Sequence, residues 1–104
     1  MAGKGSAKNF GIISNAERGE YYELKRIVER VTNKEFTVEQ VLYISETPWS
    51  IELYCFITPR KNTKLDKYER ELIGELSRHN YMLINFGFDP TNFGVVLTLK
   101  KLRW

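Results

Sequence analysis

Between Ser50 and Thr58 the side chains alternate without a break. Ile51, Leu53, Cys55 and Ile57 fall on one side, and Glu52, Tyr54, Phe56 and Thr58 on the other. A period of two is the signature of an extended strand with one face in a core and one face turned away from it. Pro59 has no amide hydrogen to continue a ladder and ends the run. A single strand cannot bury its own apolar side, so the rest of the chain must supply neighbouring strands and a layer that covers that side.

The covering layer is legible as two stripes at helical spacing. Tyr21, Leu24, Ile27 with Val28, and Val31 form the first. Ser14 followed by Glu17 is a capping-box pattern, which predicts a helix starting near Ser14 or Asn15. Thr32-Asn33-Lys34 closes it, since Asn tolerates the left-handed conformation at a helix end. Leu65, Tyr68, Leu72, Ile73 and Leu76 form the second stripe. Thr63 is its expected N-cap, Asp66 lies in its first turn, and Arg78 and His79 lie in its last, each on the side that complements the helix dipole.

Three further segments read as strands. In Phe36–Ser45, Phe36, Val38, Leu42 and Ile44 are expected on one side and Val41 and Tyr43 on the other. Tyr81–Phe88 places Met82, Ile84, Phe86 and Phe88 together, and Phe93–Leu102 places Val95, Leu97 and Leu99 together. Two proline-containing turns, Glu46-Thr47-Pro48-Trp49 and Asp89-Pro90-Thr91-Asn92, join the strands in pairs. Each half of the chain is therefore helix, strand, turn, strand. The expected class is α+β: a two-layer α/β sandwich in the order αββαββ, a permuted ferredoxin-like arrangement. It has a mainly antiparallel four-stranded sheet and both helices on one face. If residues 9–14 also form a strand, the order becomes βαββαβ with Val95–Leu102 as an additional edge strand. At 104 residues this is one domain, expected over 9–104. Residues 1–8, rich in Gly, Ala, Ser and Lys, are expected to be a flexible tail without the apolar core of a signal peptide. Gly3 and Gly5 follow no strand and make no phosphate loop.

The chemistry-bearing residues are few. Cys55 and His79 each occur once, so neither a disulfide within the chain nor a Cys/His metal site is expected. Glu75 and His79 are spaced to hydrogen-bond on one helix, but no nucleophile with oxyanion donors accompanies them, and no enzyme, metal or cofactor is expected. No apolar run approaches the about 20 residues of a membrane span. A cytoplasmic location without membrane contact is the expectation.

Binding is a better prospect. The net charge of +3 is unevenly placed: residues 1–52 carry seven basic and eight acidic residues, residues 53–104 nine and five. With the aliphatic side of Ser50–Thr58 against the helices, Tyr54 and Phe56, joined by Tyr43, would stand on an open sheet face. Such rings are platforms for unpaired bases, each stack contributing about 1–3 kcal/mol. Arg60, Lys61, Lys64 and Lys67, with Lys100, Lys101 and Arg103, would contact phosphates. Tyr54-Cys55-Phe56-Ile57 resembles the aromatic-x-aromatic-Val core of the RNA-recognition-motif signature, with Glu52 and Leu53 where that signature has a basic residue and a glycine. The first expectation is thus a single-stranded nucleic-acid-binding protein. The alternative is a protein-protein interaction module: a small regulator, adaptor or inhibitor of the kind mobile elements encode. It would engage an acidic protein, or a second copy as a homodimer, through Trp49, Phe93 and Trp104 or through an edge strand.

Overall fold

A computed structural model describes residues 13–14, 19–60, 64–89 and 94–103. The elements are β1 (Ile13–Ser14), α1 (Gly19–Val31), β2 (Phe36–Glu46), β3 (Ser50–Pro59), a 3-10 turn (Leu65–Tyr68) running into α2 (Glu69–Arg78), β4 (Tyr81–Asp89) and β5 (Gly94–Leu102). The strands form one sheet in the order β1-β2-β3-β5-β4, with every neighbouring pair antiparallel. The element order is therefore βαββαββ: the expected αββαββ set builds β2-β3-β5-β4, the permuted ferredoxin-like strand order, and the short β1 adds a fifth strand beside β2. β5 lies inside the sheet, which corrects its placement as an additional edge. Ile13 and Ser14 pair with Tyr43 and Leu42 on the outer side of β2, so Ser14 is a strand residue and not the cap of α1. The expected tail at 1–8 and the expected cap Thr63 lie outside the described residues.

The two helical stripes close on one face of the sheet. Leu24, Ile27, Val28 and Val31 of α1 are buried, as are Leu65 and Tyr68 of the 3-10 turn and Leu72 and Leu76 of α2. They form one core with Ile51, Leu53, Cys55 and Ile57 of β3 and Leu97 and Leu99 of β5. Ile73, expected in the second stripe, is 39% exposed. Its neighbour Leu72 already occupies the inward direction, and adjacent helical residues diverge. Thr32 joins α1 to β2. Its hydroxyl donates to the Val28 carbonyl (2.7 Å) and accepts from the Phe36 amide (3.2 Å). Asn33 and Lys34 turn the chain at φ 54° and 65°, and the Lys34 amide returns to the Glu29 carbonyl at 2.7 Å.

β2 departs from simple alternation. Its register against β3 slips between Val38 and Gln40 and again between Tyr43 and Ser45. Each slip inserts one residue and reverses the inside-outside sense of the residues beyond it. Phe36 and Val38 enter the core as expected. After the first bulge it is Val41 and Tyr43 that are buried, and Leu42 and Ile44 are left half-buried. β4 has the same device between Leu83 and Asn85, so Tyr81, Leu83 and Phe86 pack on the core while Met82 and Ile84 are exposed. The expected common side for Met82, Ile84, Phe86 and Phe88 does not form. The bulged strands β2 and β4 are the outer strands of the four-stranded core, where bulges are easiest to accommodate.

Three buried tyrosines each find a carboxylate. The hydroxyl of Tyr43 donates to Glu20 (2.7 Å), that of Tyr68 to Glu35 (2.7 Å) and that of Tyr81 to Glu23 (2.8 Å). A phenol is thereby buried without an unmet donor. Cys55 lies at the centre, fully buried, and burial pushes its thiol up to about 12. Only the thiolate is a nucleophile. Native protein should therefore resist iodoacetamide, with alkylation tracking global unfolding in a urea series. Rapid alkylation without urea would show that β3 is accessible in the folded state.

Candidate interaction surface

The sheet face opposite the helices is built from all four core strands, with Met82 of β4 beside Lys100 of β5. On β3, Glu52, Tyr54, Phe56 and Thr58 are half-buried on this side. Cross-strand pairing sets Leu42 and Thr98 beside Tyr54, Gln40 and Val96 beside Phe56, and Lys100 beside Glu52. The rings of Tyr54 and Phe56 meet edge to face, with centroids 6.4 Å apart and planes at 76°. That is the favourable arrangement for two quadrupoles. Among the described residues no helix or strand packs over this face. Its centre is thus apolar and aromatic, with one acid and one base as direct cross-strand neighbours.

Tyr43 does not belong to it. The residue is 4% exposed, faces the helices and is tied to Glu20, because the bulge after Val38 reversed its side. Leu42 takes its place beside Tyr54. Uninterrupted alternation had assigned Leu42 to the core, and no residue type in Phe36–Ser45 announces the inserted position.

The expected basic residues are dispersed. Arg60 pairs with Glu29 of α1 at 3.1 Å. Lys101 pairs with Glu23 at 2.6 Å and sits 4.8 Å from the Tyr81 ring centroid, on the helix side of the sheet. Lys64 stands at the N-cap position of the 3-10 turn without a side-chain capping bond, and Lys67, on that turn, lies over the Tyr68 ring at 5.3 Å. Arg103 binds Glu46 at 2.6 Å and the Thr47 carbonyl at 3.0 Å, at the end of the β2–β3 hairpin. Lys100 alone among the described members of the set stands on the face with Tyr54 and Phe56, and it stands opposite Glu52. Lys61, Phe93 and Trp104 lie outside the described residues.

Trp49 is 69% exposed at the hairpin tip. The tip is held by the Thr47 hydroxyl, which accepts from the amides of Trp49 (3.1 Å) and Ser50 (3.0 Å), and by the Arg103 amide, which donates to the Trp49 carbonyl (2.9 Å). The indole is carried by an ordered backbone, which suits an anchor residue.

His79 does not meet the Glu75 carboxylate. Its Nδ1 lies 3.0 Å from the Glu75 backbone carbonyl, while the carboxylate binds Arg78 (3.0 Å) and Arg30. No group of three or more His, Cys, Asp or Glu side chains that could hold a metal ion gathers among the described residues. No helix among them is long and apolar enough to cross a membrane. Comparison with protein-family models, curated proteins and solved structures finds no match to this chain.

Proposed function

We propose that this chain is a non-enzymatic protein-interaction module whose open sheet face is its contact surface, and that the occupant of that face is a second copy of the chain. The observation that carries the reading is the character of the face: Tyr54, Phe56, Leu42 and Val96 grouped together, with Glu52 and Lys100 as its acid-base pair. A base-stacking groove needs cations running beside its rings to track the phosphates. Here Arg60, Lys101 and Arg103 are each engaged by a carboxylate elsewhere.

Size and symmetry favour self-association. Four strands about 4.8 Å apart and about nine residues long offer about 600 Å² per copy, or about 1,200 Å² in total, the lower end of stable interfaces. A two-fold axis in the contact plane lets Glu52 of each copy answer Lys100 of the other, the self-complementarity that an isologous contact requires. A single buried thiol suits a reducing, cytoplasmic setting.

Sedimentation equilibrium over a concentration series tests the reading. The unaltered chain should form a dimer, and a Tyr54→Asp/Phe56→Asp variant of unchanged circular dichroism should be a monomer. A monomer at every concentration, or a dimer that the double substitution leaves intact, would overturn it. Single-strand oligonucleotide binding by a monomer, lost in the same variant, would instead make the face a stacking platform.

A further inference from the structure

The acidic and basic residues of α1 are sorted by direction. Glu20 and Glu23 turn inward to the buried hydroxyls of Tyr43 and Tyr81. Glu29 accepts from Arg60 at 3.1 Å and from the Thr37 hydroxyl at 2.6 Å. The cations are left on the outside. Lys25, Arg26 and Arg30, with Lys34 just beyond the helix, line an open groove of about 480 Å³ together with Tyr22 and Glu29. Arg30 pairs with Glu75. No carboxylate among the described residues pairs with Lys25, Arg26 or Lys34, and the Lys25 ammonium rests 5.9 Å from the Tyr21 ring centroid. The groove thus holds four cations against one carboxylate, itself occupied by a fifth cation, Arg60. A tally along the chain hides this, because Glu20, Glu23 and Glu29, which balance the cations of α1 on paper, are engaged elsewhere.

We infer that this groove is a binding site for single-stranded nucleic acid, gripping the phosphate backbone with Lys25, Arg26 and Lys34 and stacking a base on Tyr22. The cations do not converge on one point. From Lys25 to Arg30 they extend over about 7.5 Å at the helical rise per residue, and Lys34 adds a further charge beyond the helix end, which suits a row of charges rather than a lone phosphate. Tyr22 is 52% exposed and meets Tyr21 edge to face, with centroids 5.2 Å apart and planes at 77°. That contact leaves a face of the Tyr22 ring free for a base, and sequence-tolerant stacking beside a basic groove is how single strands are held. The site is on the helix layer, away from the sheet face, and does not depend on the dimer.

Fluorescence anisotropy of a short labelled oligo(dT), long enough to cover one groove, tests the assignment in stepped salt. With three phosphate contacts at about −0.7 each, the log–log slope should be about −2, and affinity should fall about 20-fold between about 50 and 200 mM salt. Lys25→Gln/Arg26→Gln/Lys34→Gln should remove the salt-dependent binding. Tyr22→Ala should weaken single-strand binding by about fivefold or more, the low end of one lost stack. Tyr54→Asp/Phe56→Asp should leave it unchanged, which separates failure of this site from failure of the sheet-face contact. Absence of binding at the lowest salt, or equal binding by the triple variant, would overturn the inference. So would binding to phosphatidylserine vesicles, but not to oligo(dT), that the triple variant loses, since the groove would then serve a lipid surface.

Discussion

Gly94→Ala is expected to destabilise the protein by about 3 kcal/mol, the upper part of the range for forcing added volume into a packed site. A Cβ at this position would lie 2.2 Å from the Ile57 carbonyl oxygen, 3.2 Å from the Ile57 carbonyl carbon and 3.3 Å from the Thr58 Cα. All three are backbone atoms of β3, the central strand, so no side chain can swing aside. Relief requires β5 to move off β3 and disturb the Ile57–Val95 pairing that begins there. A domain of this size is stable by about 5–15 kcal/mol, so the loss is a large fraction of the total. The melting temperature should fall by about 12 °C or more. Gly74→Ala is the control. It lies within α2, a Cβ there meets nothing within 4 Å, and the substitution should stabilise by about 0.5–1 kcal/mol through helix propensity. Thermal unfolding of both variants decides the matter. Equal melting temperatures would mean that β5 does not approach β3 this closely.

Glu23→Ala should cost about 2–3 kcal/mol, because it strands two donors. The carboxylate accepts from Tyr81, which is 2% exposed, and from the Lys101 ammonium. Burial opposes its ionisation, but the hydrogen bonds from Lys101 and Tyr81, with the charges of Lys101 and His79, outweigh that and hold the carboxyl below its usual value. Glu23 in the unfolded chain takes up a proton at higher pH than in the folded protein. Its contribution is therefore complete above the ordinary carboxylate range and is lost as pH falls through its lowered value. Glu23→Gln should flatten the acid side of a urea stability profile. An acid limb equal to that of the unaltered chain would deny Glu23 this role. On the alkaline side the Tyr81 hydroxyl is pushed up by burial and by Glu23. Its contribution is complete below the ordinary phenol range near about 10 and declines as pH rises beyond it.

The interaction surfaces were legible to different degrees. Tyr54 and Phe56 stand on the open face because β3 has no bulge and its alternation carries through. Tyr43 was misplaced and Leu42 missed for one reason, the inserted residue after Val38, which no residue type marks. The basic set Arg60, Lys64, Lys67, Lys100, Lys101 and Arg103 reads as a cluster along the chain. In space its members go to different sides, because alternation along β5 puts Lys100 and Lys101 on opposite faces, while Arg60, Lys101 and Arg103 each settle on a different carboxylate. The groove of α1 is not legible in the sequence, because Glu20, Glu23 and Glu29 offset its cations in any count of charge.

What the amino-acid sequence determined by itself is the set of elements and their layering. Periods of two and of 3.6 are local consequences of backbone geometry, and two amphipathic helices beside half-apolar strands have few ways to bury both. What only the tertiary structure decided is the short pairing of Ile13–Ser14 with β2, the bulges that turn Tyr43 inward and Leu42 outward, and the partners chosen by each charge. Those outcomes depend on register and on the distance between side chains far apart in the chain. A one-residue slip changes every contact after it while leaving the local pattern of residue types untouched.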